Sequence, residues 1–329
     1  MLPFKVVYGE QCVLPMGTHV FPADKYRKIA EGLLRAHLAE SSDFIEPVRA
    51  CDEDVLLVHT PLYLEKLKKG MLSTREELEL ELPYSPELVD AFYLMTGGSI
   101  LAAEIALRDG ISVHLGGGFH HAFPDHGEGF CVLHDVAVAI RKMQGLGRIG
   151  RALVVDCDVH QGNGTAAIFG SGEPEPFPKP AWSASMFAPR RPAHMKTGGN
   201  GNVFTVSLHQ ENNYPAWKPA SSIDVNLPDG AGDDEYLYWL DKALTSARER
   251  FNAELLCYIA GADPYVEDQL GGLALSIDGL ARRDRMVFQF ARDRHIPVMV
   301  TLAGGYAERV EDTVTIHVNT VAAAAEVFR

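Results

Sequence analysis

The sequence predicts an α/β fold, a three-layer sandwich in which helices cover both faces of an open, mainly parallel β-sheet. Two observations carry this. Short apolar, β-rich runs recur along the chain and end in glycine or polar residues. Helical patterns lie between them, and strands that alternate with helices build parallel sheets buried on both faces. The composition agrees: 329 residues, 47% hydrophobic and 22% charged, suffice for a large core.

The elements follow in order. FKVVY (4–8) reads as the first strand. Pro86 to Leu107 reads as a helix with an apolar face on Leu88, Phe92, Met95 and Ile100. ISVHLGGG (111–118) is a strand that runs into glycines. His134 to Lys142 is helical, and ALVVDCD (152–158) is a buried strand. VFTVSLH (203–209), LLCYIAGAD (255–263) and PVMVTLAGGY (297–306) are further strands. Asp233 to Phe251 and Ile277 to Arg294 are the helices between them. Residues 171–202 are proline-rich with little periodicity, and read as a loop-like insertion within a single domain spanning 1–329.

The formal net charge of −14 disfavours a general nucleic-acid binder and is compatible with a cationic substrate, as it is with ordinary acidic cytosolic enzymes. Cys12, Cys51, Cys131, Cys157 and Cys257 are scattered and form no CxxC pair, as expected of reduced thiols in the cytoplasm. The N-terminus MLPFKVVYGEQ lacks the pattern of a signal peptide. No uninterrupted apolar run is long enough to cross a bilayer, so no membrane partner is expected. Oligomeric state is left open.

Polar groups gather at four strand ends, where open parallel sheets bind ligands. They are His120 and His121 after ISVHL, Asp156, Asp158 and His160 after ALVV, Asp263 after LLCYIAG, and Tyr306 after PVMVTLAGG. Alternation along a strand places Asp156, Asp158 and His160 on one face, a costly arrangement unless something binds them. Asp158, His160 and Asp263 offer two carboxylates and an imidazole, the three-ligand set of a catalytic zinc site with one open position. His121 suits the role of general base toward water, because imidazole titrates near neutrality. Tyr306 suits a hydrogen-bond donor to the developing oxyanion. His120 and Asp156 remain as an orienting pair, and Asn163 is placed to contact His121.

These residues resemble the zinc-dependent histone deacetylase family of the arginase/deacetylase superfamily. The similarity runs through HVFPADKY, VHTPLYLEKL, LPYSPELVDAF, GGGFHHA, GEGFCVLHD, VVDCDVHQGNGT, VSLHQENNYP, GADPYVEDQLGGLALS and LAGGY. The HQGNG and LHQENNYP forms are most similar to the class IV branch and its bacterial relatives. The resemblance implies an arginase/deacetylase-like fold and a deacetylase acting on linear amides. Its implied substrate is an acylated lysine peptide; acetylpolyamines and small acylated metabolites are the alternatives. It implies Asp158, His160 and Asp263 as metal ligands, His120 and His121 as the tandem histidines, and Tyr306 as the transition-state tyrosine. Gly129 would accept the substrate amide N–H through its carbonyl, with Phe130 and Tyr214 as tunnel walls. Zn2+ is the implied metal, with Fe2+ as the alternative. A structural K+ would use Asp156, Asp158, His160, Ser207 and Leu208.

The chain departs from the family pattern at Asn163, where many members have Asp, at His134, where Asn is usual, and at Ala303, in place of a glycine. Two rival functions stay in view. One is a metal-containing protein that binds acylated amines without turnover. The other is a dinuclear manganese ureohydrolase, disfavoured because GADPY supplies one carboxylate before Pro264. Several residues are set aside. His114 reads as a packed core histidine, and His209 as a strand cap. His19 and His59 match family positions without a separate role. Asp125 and His126 read as a turn at the rim, and Glu267 and Asp268 as the start of a helix, with attraction of a cationic substrate to the mouth as the alternative. Lys25 and Arg27 are either pocket-foot cations or solvated helix charges. Leu270 and Met195 are rim contacts, and His194 is a loop histidine.

Overall fold

The computed structural model describes residues 2–13, 19–170 and 201–329. Among these residues eight strands form one sheet: β1 (Lys5–Val7), β2 (Phe44–Ile45), β3 (Ile111–His114), β4 (Ala152–Asp156), β5 (Val203–Gln210), β6 (Ile223–Leu227), β7 (Leu255–Ile259) and β8 (Val298–Thr301). Their order is β2-β1-β3-β8-β7-β4-β5-β6, and every neighbouring pair is parallel. All residues of β3, β4, β5, β7 and β8 are buried, which is why these runs read as continuously apolar.

Ten helices complete the described fold: α1 (Lys25–Arg35), α2 (Asp52–Val55), α3 (Pro61–Lys69), α4 (Thr74–Leu80), α5 (Pro86–Asp109), α6 (Asp135–Gly145), α7 (Asn163–Phe169), α8 (Asp233–Arg250), α9 (Ile277–Asp293) and α10 (Val310–Phe328). One helical layer packs α1 on α10, α10 on α9 and α9 on α8. The other is built on α5, which packs against α6, β3 and β8. Local chemistry sets the ends of α5. Ser85 accepts a hydrogen bond from the Leu88 N–H, Pro86 opens the first turn, and Gly110, at φ +94°, ends the helix. By length and composition α5 is apolar enough to cross a membrane, but most of it is buried inside this fold. Its apolarity is that of a core helix.

The structure corrects the sequence reading at several points. β4 ends at Asp156, so Asp158 and His160 lie in the following loop rather than on one face of an extended strand. They converge because that loop folds on its own acids: Asp158 N donates to Asp156 Oδ1 (3.2 Å), and His160 N to Asp158 Oδ1 (3.0 Å). β6 was not expected, because Asp224 and Asn226 interrupt its apolar residues. Asp224 is accommodated by the Ser221 N–H and the Gln161 amide. No helix starts at Glu267 or Asp268; the next one begins at Ile277. His209 lies inside β5 and does not cap it. Residues 171–200 of the insertion, with His194 and Met195, lie outside the described residues.

Candidate active site

The four strands β3, β8, β7 and β4 are contiguous in the sheet. The loops after their carboxyl ends therefore meet at one rim and carry His120 and His121, Tyr306, Asp263, and Asp158 and His160 respectively. A buried guanidinium ties two of these loops together. Arg283 of α9 donates through Nη1 to the carbonyls of Gly261 (2.6 Å) and Cys157 (3.2 Å), while Asp284 balances its charge. Those carbonyls lie two residues before Asp263 and one before Asp158, so the clamp holds both acids at a fixed separation.

Asp158, His160 and Asp263 are buried, and one donor atom from each lies within 4.8 Å of the others. Asp158 Oδ2 accepts from Gly304 N (2.9 Å), and Asp263 Oδ1 from Val159 N (2.9 Å). Asp263 Oδ2 has no hydrogen-bond donor although it is fully buried, and His160 Nδ1 is 3.5 Å away. A buried carboxylate oxygen left without a donor is costly, and a cation satisfies it. The donor set and its spacing thus fit one divalent ion. Glycine 304 keeps the space open, because a Cβ there would stand 1.9 Å from Asp263 Oδ2. Burial, and then the Asp158 charge, pushes Asp263 up to about 7.

The two adjacent histidines have different partners. His120 Nδ1 meets Asp156 Oδ2 at 2.7 Å, and its Nε2 lies 3.7 Å from Asp158 Oδ1. Burial pulls its pKa down, but these carboxylates outweigh burial and raise it to about 9. His121 Nδ1 meets Asn163 Oδ1 at 2.7 Å. Burial, His120 and His160 together hold it well below the ordinary histidine value. The two neighbouring imidazoles are thus shifted in opposite directions, His120 toward the charged form and His121 toward the neutral one.

Tyr306 lines the same cavity of about 180 Å³, together with Phe130, Tyr214 and Leu270. Burial first, then Asp158 and Asp263, keeps its hydroxyl protonated far above neutrality. Asp268 positions this tyrosine. Its Oδ2 accepts from Tyr306 N (2.7 Å), and its Oδ1 from Leu270 N and Gly271 N (both 2.9 Å). Lys25 is fully buried behind the tyrosine, 5.8 Å from its ring centre, and donates to Ala303 O (2.6 Å). Arg27, the other cation considered, pairs at the surface with Glu31.

Glu128 to Cys131 form a tight hairpin turn, with reciprocal backbone hydrogen bonds and positive φ at both Gly129 (+51°) and Phe130 (+66°). A Cβ at Gly129 would stand 2.8 Å from the Tyr214 ring and 2.9 Å from the His121 ring. Glycine there lets the outer wall close on His121. Tyr214 packs edge-on to His121, with ring centres 4.9 Å apart, and its hydroxyl donates to Glu128 Oε1 (2.6 Å).

The departures from the family pattern also find places. His134 caps α6, accepting from Ala137 N, so it does the work an asparagine would do there. Ala303 lies against Gly118, whose missing Cβ would fall 2.7 Å from the alanine methyl. Asp156 pairs in register with Ser207, which places Ser207 and Leu208 beside the loop acids. Ser207 Oγ is engaged with His209 Nδ1 at 2.9 Å. His114 is buried against Ser99, and Asp125 and His126 turn at the rim with the His126 ring stacked on Phe123. His19 packs edge-on to Phe130, and His59 accepts from His134 N. Glu128 and Arg283 were missed from the sequence, and Asp268 was given a different place. Each acts on residues distant along the chain, and no local pattern marks such a contact.

The family model described as "Histone deacetylase domain" matches residues 19–321. An uncharacterized protein of Picosynechococcus sp. is 35% identical over 326 residues, covering 99% of both chains. Histone deacetylase 2 of Arabidopsis thaliana is 31% identical, covering 88% of this chain and 70% of its own. The solved structure of an HDAC homologue complexed with SAHA superposes with a TM-score of 0.75 at 22% identity, covering 99% of this chain and 84% of that one.

Proposed function

This chain belongs to the histone deacetylase family, and from that premise we propose that it is a zinc-dependent deacylase of N-acylated lysine side chains or related primary amines. The observation that carries the proposal is the unsatisfied Asp263 Oδ2 beside Asp158 and His160, which line a cavity together with His121 and Tyr306. Asp158, His160 and Asp263 would hold the ion, with Fe2+ as the alternative occupant. When bound, a divalent cation there supplies Lewis-acid polarisation of the amide carbonyl and lowers the pKa of water.

The chain's own residues do the rest. His121 Nε2 takes a proton from the attacking water, whose oxygen bonds to the acyl carbon. Tyr306 donates a hydrogen bond to the carbonyl oxygen as negative charge collects there. The C–N bond then breaks, and the leaving amine takes up the proton gained by His121. His120, held by Asp156, keeps a positive charge beside the reacting centre. Gly129 would accept the substrate amide N–H, while Phe130 and Tyr214 flank the alkyl chain. A structural K+ is assigned to oxygens of Asp156, Asp158, His160, Ser207 and Leu208, supported by the β4–β5 register. The partners are acylated peptides or amines rather than nucleic acid or membrane. The free thiols, four of the five buried, suit the reducing cytoplasm.

The test is a fluorogenic acetyl-lysine peptide beside acetylpolyamines, assayed on metal-defined protein with and without chelator. Turnover that the chelator abolishes is expected. Tight binding of several acylated amines with no hydrolysis would favour a binding protein instead, and two manganese ions per chain a dinuclear hydrolase. Tyr306→Phe should keep its metal and lose about two to three decades of turnover, since one oxyanion donor is worth ~3–4 kcal/mol. Near-normal turnover in that variant removes the tyrosine from the reaction.

A further inference from the structure

We infer that Glu128 is a positioning residue that fixes the tautomer of His121 through Asn163. This rests on the proposed role of His121 as general base. Two donors converge on one carboxylate oxygen: Asn163 Nδ2 (2.8 Å) and the Tyr214 hydroxyl (2.6 Å) both donate to Glu128 Oε1. The other oxygen lies 3.6 Å from His126 Nε2. Burial pushes the Glu128 pKa up, but His126, Tyr214 and Asn163 together bring it below its usual value, so the group is ionised.

An ionised carboxylate accepts hydrogen bonds and cannot donate them. The Asn163 atom that faces Glu128 must therefore be the NH2 group. A second contact demands the same orientation, because the Gly164 N–H, which can only donate, meets Asn163 Oδ1 at 3.1 Å. The amide oxygen is thus turned to His121 Nδ1, which must carry the proton, leaving the Nε2 lone pair for water. With the amide flipped, its NH2 would face Nδ1 and drive the proton to Nε2, where it blocks the base. A carboxylate needs no such orientation, because both of its oxygens accept. Asparagine does need it, and Glu128 supplies it from a rigid hairpin, 35 residues away along the chain. The same oxygen anchors Tyr214, so one side chain sets both the base and a cavity wall.

The test exchanges the amide and the carboxylate. In Glu128→Ala, kcat should fall about ten- to a hundredfold and KM should rise as Tyr214 is released. Glu128→Gln, whose amide oxygen still accepts from Asn163 and Tyr214, should lose less than Glu128→Ala, and Asn163→Asp alone should lose activity by opposing two carboxylates. The double variant Asn163→Asp/Glu128→Gln restores the hydrogen bond between positions 128 and 163 with donor and acceptor exchanged, though not the acceptor of the Tyr214 hydroxyl, and should recover kcat to within about fivefold of the parent. Nitrogen-15 NMR of His121 in the folded proteins gives a readout independent of turnover: Nδ1–H in the parent and the double variant, a mixture in Glu128→Ala. An unchanged tautomer in Glu128→Ala, or a double variant that loses the product of the single losses, overturns the inference. If Glu128→Ala does not fold, Asn163→Asp and the double variant decide it. If the parent hydrolyses no acylated amine, the proposed function fails, while the tautomer measurement still decides what Glu128 does.

Discussion

The two walls of the active site differ in how they hold a proton, although consecutive residues serve them. The inner wall faces His120 with Asp156 and Asp158 and keeps that imidazole charged, with a pKa near 9. The outer wall faces His121 with an amide, and burial together with two neighbouring imidazoles keeps that ring neutral. Identical side chains thus take opposite protonation states because one wall presents charge and the other presents only dipoles. The outer wall does contain a carboxylate, Glu128, but an asparagine separates it from the ring, so it orients the base without charging it.

The largest effect that would break this contrast lies in the inner wall. Asp263→Asn should reduce metal content below one ion per chain by elemental analysis and abolish turnover. It replaces an unsatisfied carboxylate oxygen with an amide. A fully metallated Asp263→Asn variant would remove this residue from the ligand set.

The histidines sharpen the contrast next. His121→Ala should cost about two to four decades in kcat, the usual range for a general base. His120→Ala, which removes an orienting cation, should cost only about one to two decades. Equal losses, or the reverse order, would show that the neutral ring is not the base.

The smallest effect belongs to the outer rim. Burial lowers the His126 pKa, but Asp125 and Glu128 outweigh it and raise it to about 9. A raised folded pKa stabilises the protein fully below the unfolded value of ~6.5, and the gain is lost as pH rises through about 9. Unfolding midpoints in urea should therefore fall between these limits by an equivalent of about 1–2 kcal/mol, after allowance for partial solvent screening. His126→Gln should flatten that part of the profile. An unchanged slope would show that the rim pair carries no stability.

Much of the site is legible along the chain because its chemistry is concentrated in residue type. Two strand ends, one carrying Asp158 and His160 and the other Asp263, have little reason to collect two acids and an imidazole except to bind an ion. The apolar runs marked the central strands because those strands are covered on both faces. β6 escaped because Asp224 and Asn226 break its run, and their partners, Ser221 and Gln161, cannot be read from the strand itself. Asp268 was misread as a helix start. An acid followed by glutamine, leucine and two glycines suits a capped turn as well as a helix, and only the folded chain brings the Tyr306 N–H, 38 residues on, to its second oxygen.

By itself the sequence determined the layered α/β class, the donors available to a metal, and the presence of a base and a hydroxyl beside them. These follow from periodicity and side-chain chemistry, which are local. The tertiary structure alone decided that Lys25 is buried behind Tyr306 while Arg27 is solvated, that Arg283 clamps two ligand loops, and that Glu128 reaches Asn163 and Tyr214 across 35 and 86 residues. The physical reason is common to all three. A polar group's partner is set by which loops close onto the same strand ends, and loop closure leaves no periodic trace in the sequence.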